Sequence, residues 1–126
     1  MSASVQALAD RFRVCSVTGL KVDRNAENLI KINAVVAVVC LLIGSLAAVG
    51  IALTRWEAVH LLPADLFYRF LTAHGLNMLI FFIVFFEMAL LYFAGPVLLN
   101  SRLPAPKLGW VCFVLMIIGM VMTNTM

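Results

Sequence analysis

Residues 70–82 read F-L-T-A-H-G-L-N-M-L-I-F-F and place a histidine, followed at once by a glycine, near the start of a long apolar run. The run continues to residue 99, and its only strongly polar members are His74, Asn77 and Glu87. At about 1.5 Å per residue, a helix of this length is long enough to cross a bilayer. Because ionisable groups inside a membrane are costly and usually functional, His74 is the first candidate site residue.

The composition of the whole chain supports a membrane protein. Of its 126 residues, 64% are hydrophobic and 12% are charged, whereas soluble domains are about 45–50% apolar. The net charge of +3 is not concentrated in a basic patch, so the sequence predicts a lipid environment and no nucleic-acid partner. A chain of this length is expected to form one domain.

Three apolar runs define the predicted architecture, an all-α integral membrane protein. We predict transmembrane helices at about 32–54, 70–99 and 108–124 in a membrane domain of residues 32–126, preceded by a segment at 1–31. Residues 2–13 have the spacing of a short interfacial helix, residues 55–69 are predicted to be a loop, and the polar residues 15–23 receive no assignment. The first run carries a stripe of small residues typical of close helix packing: Gly44, Ser45, Ala47, Ala48 and Gly50.

The positions of the basic residues predict the orientation of the chain. An excess of Lys and Arg marks the cytoplasmic side, which places the N-terminus in the cytoplasm and predicts a multi-pass protein of the cell inner (plasma) membrane. Five cations precede the first run, two lie between the first and second runs, and two follow the second run: Arg11, Arg13, Lys21, Arg24, Lys31; Arg55, Arg69; Arg102, Lys107.

The three cysteines form no metal-binding motif. Cys15, Cys40 and Cys112 include no C-x-x-C pair and no C-x-x-C-H sequence, which excludes a zinc site built on such pairs and covalent haem attachment. Cys40 and Cys112 lie in apolar runs and are interpreted as small core residues.

Physical chemistry leaves three interpretations of His74 open: a hydrated histidine at the interface, a ligand of a metal or haem iron, or a member of a proton path. Gly75 favours the interpretation of His74 as a ligand, because a neighbouring residue without Cβ lets a flat macrocycle approach the helix. Met78 shares a helix face with His74, so it cannot be the opposite axial ligand; it is interpreted as packing against the ring or as core. The second histidine, His60, lies in the predicted outer loop, so if His74 binds haem, the remaining ligands come from other polypeptide.

Two further polar residues stand in the second run. Glu87 is 13 positions beyond His74, roughly 20 Å along an α-helix and 140° around it. It is interpreted as a proton relay or as a hydrogen-bonded packing group. Asn77 is predicted to form a hydrogen bond to a neighbouring helix.

Residues 71–82, L-T-A-H-G-L-N-M-L-I-F-F, resemble the start of the second transmembrane helix in the catalytic subunit I of the haem–copper oxidase superfamily. The order of a first span, a loop ending in F-Y-R-F-L-T-A-H-G and a long second span also agrees. The loop that follows resembles the family's P-x5-R stretch with a later proline and basic residue, here Pro96, Arg102, Pro106 and Lys107. The resemblance covers about residues 28–126.

This resemblance implies that His74 is an axial ligand of a low-spin haem whose type is unknown. The family's second axial histidine and the copper or iron of its binuclear centre belong to later helices, so the chain resembles the first three spans of a larger helical bundle, whether as a split subunit, a truncation or a fragment. The implied partners are the remaining helices of subunit I, a subunit II-like electron-accepting subunit, and a cytochrome c or small copper protein as electron donor. The implied reaction is dioxygen reduction coupled to proton movement.

Departures from the family pattern indicate the branch. A-type oxidases carry an asparagine ahead of the loop proline, an aspartate after the loop arginine and often an arginine inside the first helix. Here Phe93, Ala94 and Gly95 precede Pro96, Leu103 follows Arg102, and residues 32–54 contain no arginine. The pattern is more similar to B-type oxidases or to nitric oxide reductases. Two functions outside this family remain as alternatives. One is an accessory membrane subunit, in which His74 is merely interfacial, and the other is a transporter fragment with Glu87 as its proton site.

Overall fold

A computed structural model describes residues 12–125. Two short strands, β1 (Phe12–Val14) and β2 (Lys21–Asp23), precede three helices, α1 (Arg24–Arg55), α2 (Ala64–Leu98) and α3 (Pro106–Thr125). All three helices are long and apolar enough to cross a membrane. The predicted fold class, a helical membrane protein with three spans, is therefore confirmed.

Helix α1 begins at Arg24, eight residues before its predicted start. The Asp23 side chain accepts a hydrogen bond from the Asn25 amide at 2.8 Å and caps the helix, satisfying a backbone donor that has no partner within the helix. Glu27, in the first turn, pairs with Arg13 and Lys31. These polar contacts extend the helix beyond the apolar run, which is why hydropathy alone misplaced its start.

The residues before α1 form a hairpin rather than an unassigned polar segment. Strands β1 and β2 pair antiparallel, with Val14 opposite Lys21. The turn between them is closed by hydrogen bonds between Cys15 and Leu20 and between Gly19 and Cys15, each 2.9 Å. Gly19 has φ +67°, which glycine adopts readily. The interfacial helix predicted at 2–13 is wrong at its end, residues 12 and 13, because they belong to β1; residues 2–11 lie outside the described part of the chain.

Helix α2 differs from its prediction in two ways. It begins at Ala64, so the last residues of the predicted loop at 55–69 are helical. It also contains two π-helical segments, Leu76–Phe81 and Ala94–Leu98. Since a π turn holds more residues than an α turn, the 140° angle between His74 and Glu87, which assumed an uninterrupted α-helix, is wrong.

Small residues let α1 approach the other helices. Gly44, Ala47 and Gly50 are buried, and a Cβ at Gly50 would lie 3.2 Å from the Phe70 ring. The predicted stripe is thus correct at these positions, whereas Ser45 is exposed and Ala48 is only half-buried.

The core lies where the three helices meet. Ala37, Cys40 and Phe85 are its buried centre, and the Phe85 and Phe113 rings pack edge to face with centroids 6.1 Å apart. The Cys40 thiol lies 3.3 Å from the Met120 sulfur. Cys40 is therefore a small core residue, as predicted.

Candidate functional site

His74 lies on α2 and faces α1. Its Nδ1 is 2.9 Å from the backbone carbonyl oxygen of Gly44, and the residue is half-buried. A carbonyl oxygen only accepts hydrogen bonds, so Nδ1 carries the proton and donates. In a neutral imidazole this leaves the lone pair on Nε2, which has no hydrogen-bond partner within residues 12–125. This tautomer leaves Nε2 available to bind a metal.

The position of His74 within its helix differs from the sequence estimate. The predicted helix at 70–99 puts His74 four residues from its start, about one turn, but the observed start at Ala64 is ten residues away, or about three turns. The π-helical segment begins at Leu76, directly after Gly75. Single π turns inside α-helices occur frequently at functional sites, and this signal was not available from the sequence.

Gly44 permits the close approach that the His74 contact needs. A Cβ at Gly44 would lie 2.6 Å from Cγ and 2.8 Å from the sulfur of Met78. Met78 therefore packs against the same point of α1 that holds His74, which agrees with the predicted shared face. Within the described residues, Met78 contributes to the contact between α1 and α2.

Gly75 has a different environment from Gly44. A Cβ at Gly75 would meet no described atom within 4 Å. Packing among these three helices therefore does not require glycine there. The space next to Gly75 is therefore open on this side of α2, and an imidazole with its lone pair on Nε2 is a suitable axial ligand for haem iron.

Asn77 joins α2 to α3. Its side chain is fully buried, and its amide nitrogen donates to the Ala73 carbonyl at 2.8 Å and to the Asn124 side-chain oxygen at 2.7 Å. The predicted hydrogen bond to a neighbouring helix is therefore found. The Asn77 Oδ1 atom has no partner in the described chain.

The structure does not bring the other polar candidates to His74. His60 is exposed in the loop after α1 and has φ +42°. Glu87 is exposed on α2, and it forms neither an ion pair nor a hydrogen bond with residues 12–125. No group of three or more His, Cys, Asp or Glu residues in the described chain is arranged to hold a metal ion. His74 is thus a single potential ligand.

Comparison with known protein families gives a match over most of the chain. The family model "Cytochrome C and Quinol oxidase polypeptide I" matches residues 28–126. The chain belongs to this family. No curated protein and no solved structure matches the chain significantly.

Membership of the polypeptide I family agrees with the three spanning helices and confirms the family recognised from the sequence. The chain is therefore a haem–copper oxidase subunit I sequence, a family of membrane oxidoreductases that binds haem and copper and assembles with other subunits. The matched region includes His74, Gly44 and the π-helical segment after Gly75.

Proposed function

We propose that this polypeptide I chain is the N-terminal part of the catalytic subunit of a respiratory terminal oxidase and that His74 is one axial ligand of its low-spin haem. The observation that carries the proposal is the hydrogen bond from Nδ1 of His74 to the Gly44 carbonyl at 2.9 Å. Metal-binding histidines almost always donate their second ring N–H to such a group.

In this proposal each residue has a physical role. Gly44 orients the imidazole and makes Nε2 more basic, because its carbonyl oxygen accepts a hydrogen bond from Nδ1–H. Gly75 leaves room beside the ring, and Met78 packs α2 against α1. A low-spin haem bound here supplies one-electron transfer toward the site of dioxygen reduction. Its second axial ligand and the metal of the binuclear centre would come from polypeptide outside this sequence.

A reduced-minus-oxidised optical spectrum tests the role of His74. It is recorded on the detergent-solubilised complex purified through this chain, as wild type, His74→Ala and the matched control His60→Ala. We expect His74→Ala to lose the low-spin haem band and His60→Ala to keep it. A band that survives in His74→Ala would show that another residue binds the iron.

Nitric oxide reduction in the same scaffold is the second candidate. The departures from the A-type pattern, such as Leu103 after Arg102 and Gly95 before Pro96, are compatible with both B-type oxidases and nitric oxide reductases. Metal analysis of the purified complex distinguishes them: we expect copper beside the high-spin haem, whereas a second iron in its place would establish the alternative.

The remaining parts of the proposal concern Glu87 and the assembly. Glu87 is proposed as a proton-transfer group facing the later helices of subunit I. A subunit II-like protein would pass on electrons from a cytochrome c or a small copper protein. The complex would lie in the plasma membrane, with the hairpin and its preceding residues on the cytoplasmic side, as the distribution of basic residues predicts.

A further inference from the structure

A basic cavity lies between the hairpin and the loop that follows α2. It has a volume of about 480 Å³ and is lined by Phe12, Val14, Lys21, Asn100 and Arg102. This is within the range of small-molecule sites. Phe12 and Val14 project from one face of β1, since they are two residues apart, and Lys21 is the strand partner of Val14. One wall is therefore the hairpin, and the other is the loop.

Among residues 12–125, nothing compensates the charge of this cavity. Lys21 and Arg102 both line it, no carboxylate of the described residues does, and neither cation forms an ion pair within residues 12–125. Two cations sharing a cavity repel each other, so an anion between them would be stabilised. Cations that pair with Glu27 lie elsewhere, at Arg13 and Lys31.

The loop wall of the cavity is held in place. The Ser101 amide donates to the Pro96 carbonyl at 3.0 Å, and its hydroxyl donates to the Gly95 carbonyl at 3.2 Å. The Arg102 guanidinium lies 5.9 Å from the centre of the Phe12 ring, a cation–π distance. The Arg102 guanidinium is therefore positioned before any ligand binds, which lowers the entropic cost of binding.

Exposed apolar side chains stand close in sequence to the lining residues. Leu98 and Leu99, just before Asn100, are 62% and 75% exposed, and Val17 at the tip of the hairpin is 89% exposed. The cavity is also at the end of two membrane-spanning helices, because α1 starts and α2 ends beside it. A free anion needs no apolar border, whereas a phospholipid places its headgroup at this level and its acyl chains against such residues.

We propose that this cavity binds the headgroup of an anionic phospholipid, with Lys21 and Arg102 contacting the phosphate, Asn100 hydrogen-bonding a headgroup oxygen and Leu98 and Leu99 contacting the acyl chains. Basic cavities between transmembrane helices are a known form of lipid-headgroup site. The site is distinct from His74, which lies near the other end of α2.

Native mass spectrometry of the delipidated complex tests this site, with dioleoylphosphatidylglycerol as the probe and dioleoylphosphatidylcholine as the neutral comparison. Lys21→Gln with Arg102→Gln removes the two cations of the cavity. The matched control, Arg24→Gln with Lys107→Gln, removes two exposed cations that do not line it. We expect the cavity variant to bind phosphatidylglycerol about tenfold more weakly than the control variant.

Three results would overturn the proposal: equal losses in the two double variants, equal binding of the neutral lipid, or full displacement of the lipid by millimolar inorganic phosphate at constant ionic strength. The last result would identify a free-anion site. Leu98→Ser with Leu99→Ser provides a second variant that leaves both cations and the hairpin unchanged. It should weaken lipid binding and spare phosphate binding; unchanged lipid binding would contradict the assigned acyl contacts.

Discussion

At the scale of single residues, Gly44 connects packing with the proposed chemistry. Its missing Cβ lets Met78 approach, and its carbonyl fixes the His74 tautomer. Most glycines in helices lower stability relative to alanine. Gly44 is an exception, because at this position any side chain would meet α2.

Gly44→Ala should therefore destabilise the protein. The new Cβ would lie 2.6 Å from Met78 Cγ, and relieving such overpacking typically costs about 1–3 kcal/mol. Thermal unfolding in detergent, followed by circular dichroism, measures the change. Gly119→Ala is the matched control, since a Cβ there meets nothing within 4 Å and alanine favours the helix. Equal melting temperatures for Gly44→Ala and the wild type would contradict the close approach.

Cys15 permits a prediction about pH. Hydrogen bonds from the Thr18 side chain, and then from the Thr18 and Val17 backbone, lower the pKa of its thiol from 9.0 to about 7. The thiolate is the reactive form, so alkylation should reach half its maximal rate near pH 7 and fall below that pH. Iodoacetamide labelling in a Cys40→Ser, Cys112→Ser background measures this profile. Thr18→Val should move the midpoint upward; an identical midpoint would exclude the hydroxyl as the main cause.

At the scale of elements, α2 and α3 are joined by a polar contact inside an apolar environment. Asn77 donates to Asn124 at 2.7 Å, and each side chain also bonds a carbonyl of its own helix. Each asparagine is therefore held by its own helix while it contacts the other. This fixes the alignment of α3 along α2 near His74.

A double-mutant cycle of Asn77→Ala and Asn124→Ala measures the strength of this contact. Interhelical hydrogen bonds in membranes contribute about 0.6 kcal/mol on average and reach about 1.7. We expect a coupling energy toward the upper end, because Asn77 is fully buried. Unfolding in mixed micelles provides the four free energies, and Thr72→Ala, whose hydroxyl bonds only within its own helix, is the control. A coupling near zero would mean that the two asparagines act independently.

The elements also show what the sequence could and could not provide. Hydropathy was sufficient to predict that three helices span the membrane, since each corresponds to a long apolar run. The start of α1 was missed because Asp23 and Glu27 extend the helix through polar contacts that hydropathy does not measure. The sequence could not predict that the Gly44 carbonyl is the partner of His74, because this contact depends on how two helices are aligned. The π segment after Gly75 has no sequence rule comparable to apolar periodicity.

At the scale of the whole molecule, the three helices bury little of one another. Within the most apolar stretch of each helix, the buried share is 22% in α1 and 11% in α2 and in α3. The remaining apolar surface fits lipid or further helices. The exposed carboxyl of Glu87 favours further helices over lipid on its side of α2, because placing an ionisable group against lipid costs several kcal/mol. We therefore expect other helices to cover the Glu87 side of α2.

Glu87→Gln tests whether that carboxyl transfers protons or only packs. Glutamine retains the size and hydrogen-bonding capacity of glutamate but cannot exchange a proton. If Glu87 is a relay in the assembled complex, turnover should fall at least about tenfold, with the low-spin haem spectrum unchanged. Glu57→Gln, in the exposed loop after α1, is the matched control and should retain wild-type turnover. Full activity in Glu87→Gln together with loss of assembly in Glu87→Leu would instead identify Glu87 as a packing group, since only the leucine variant loses the polar contact.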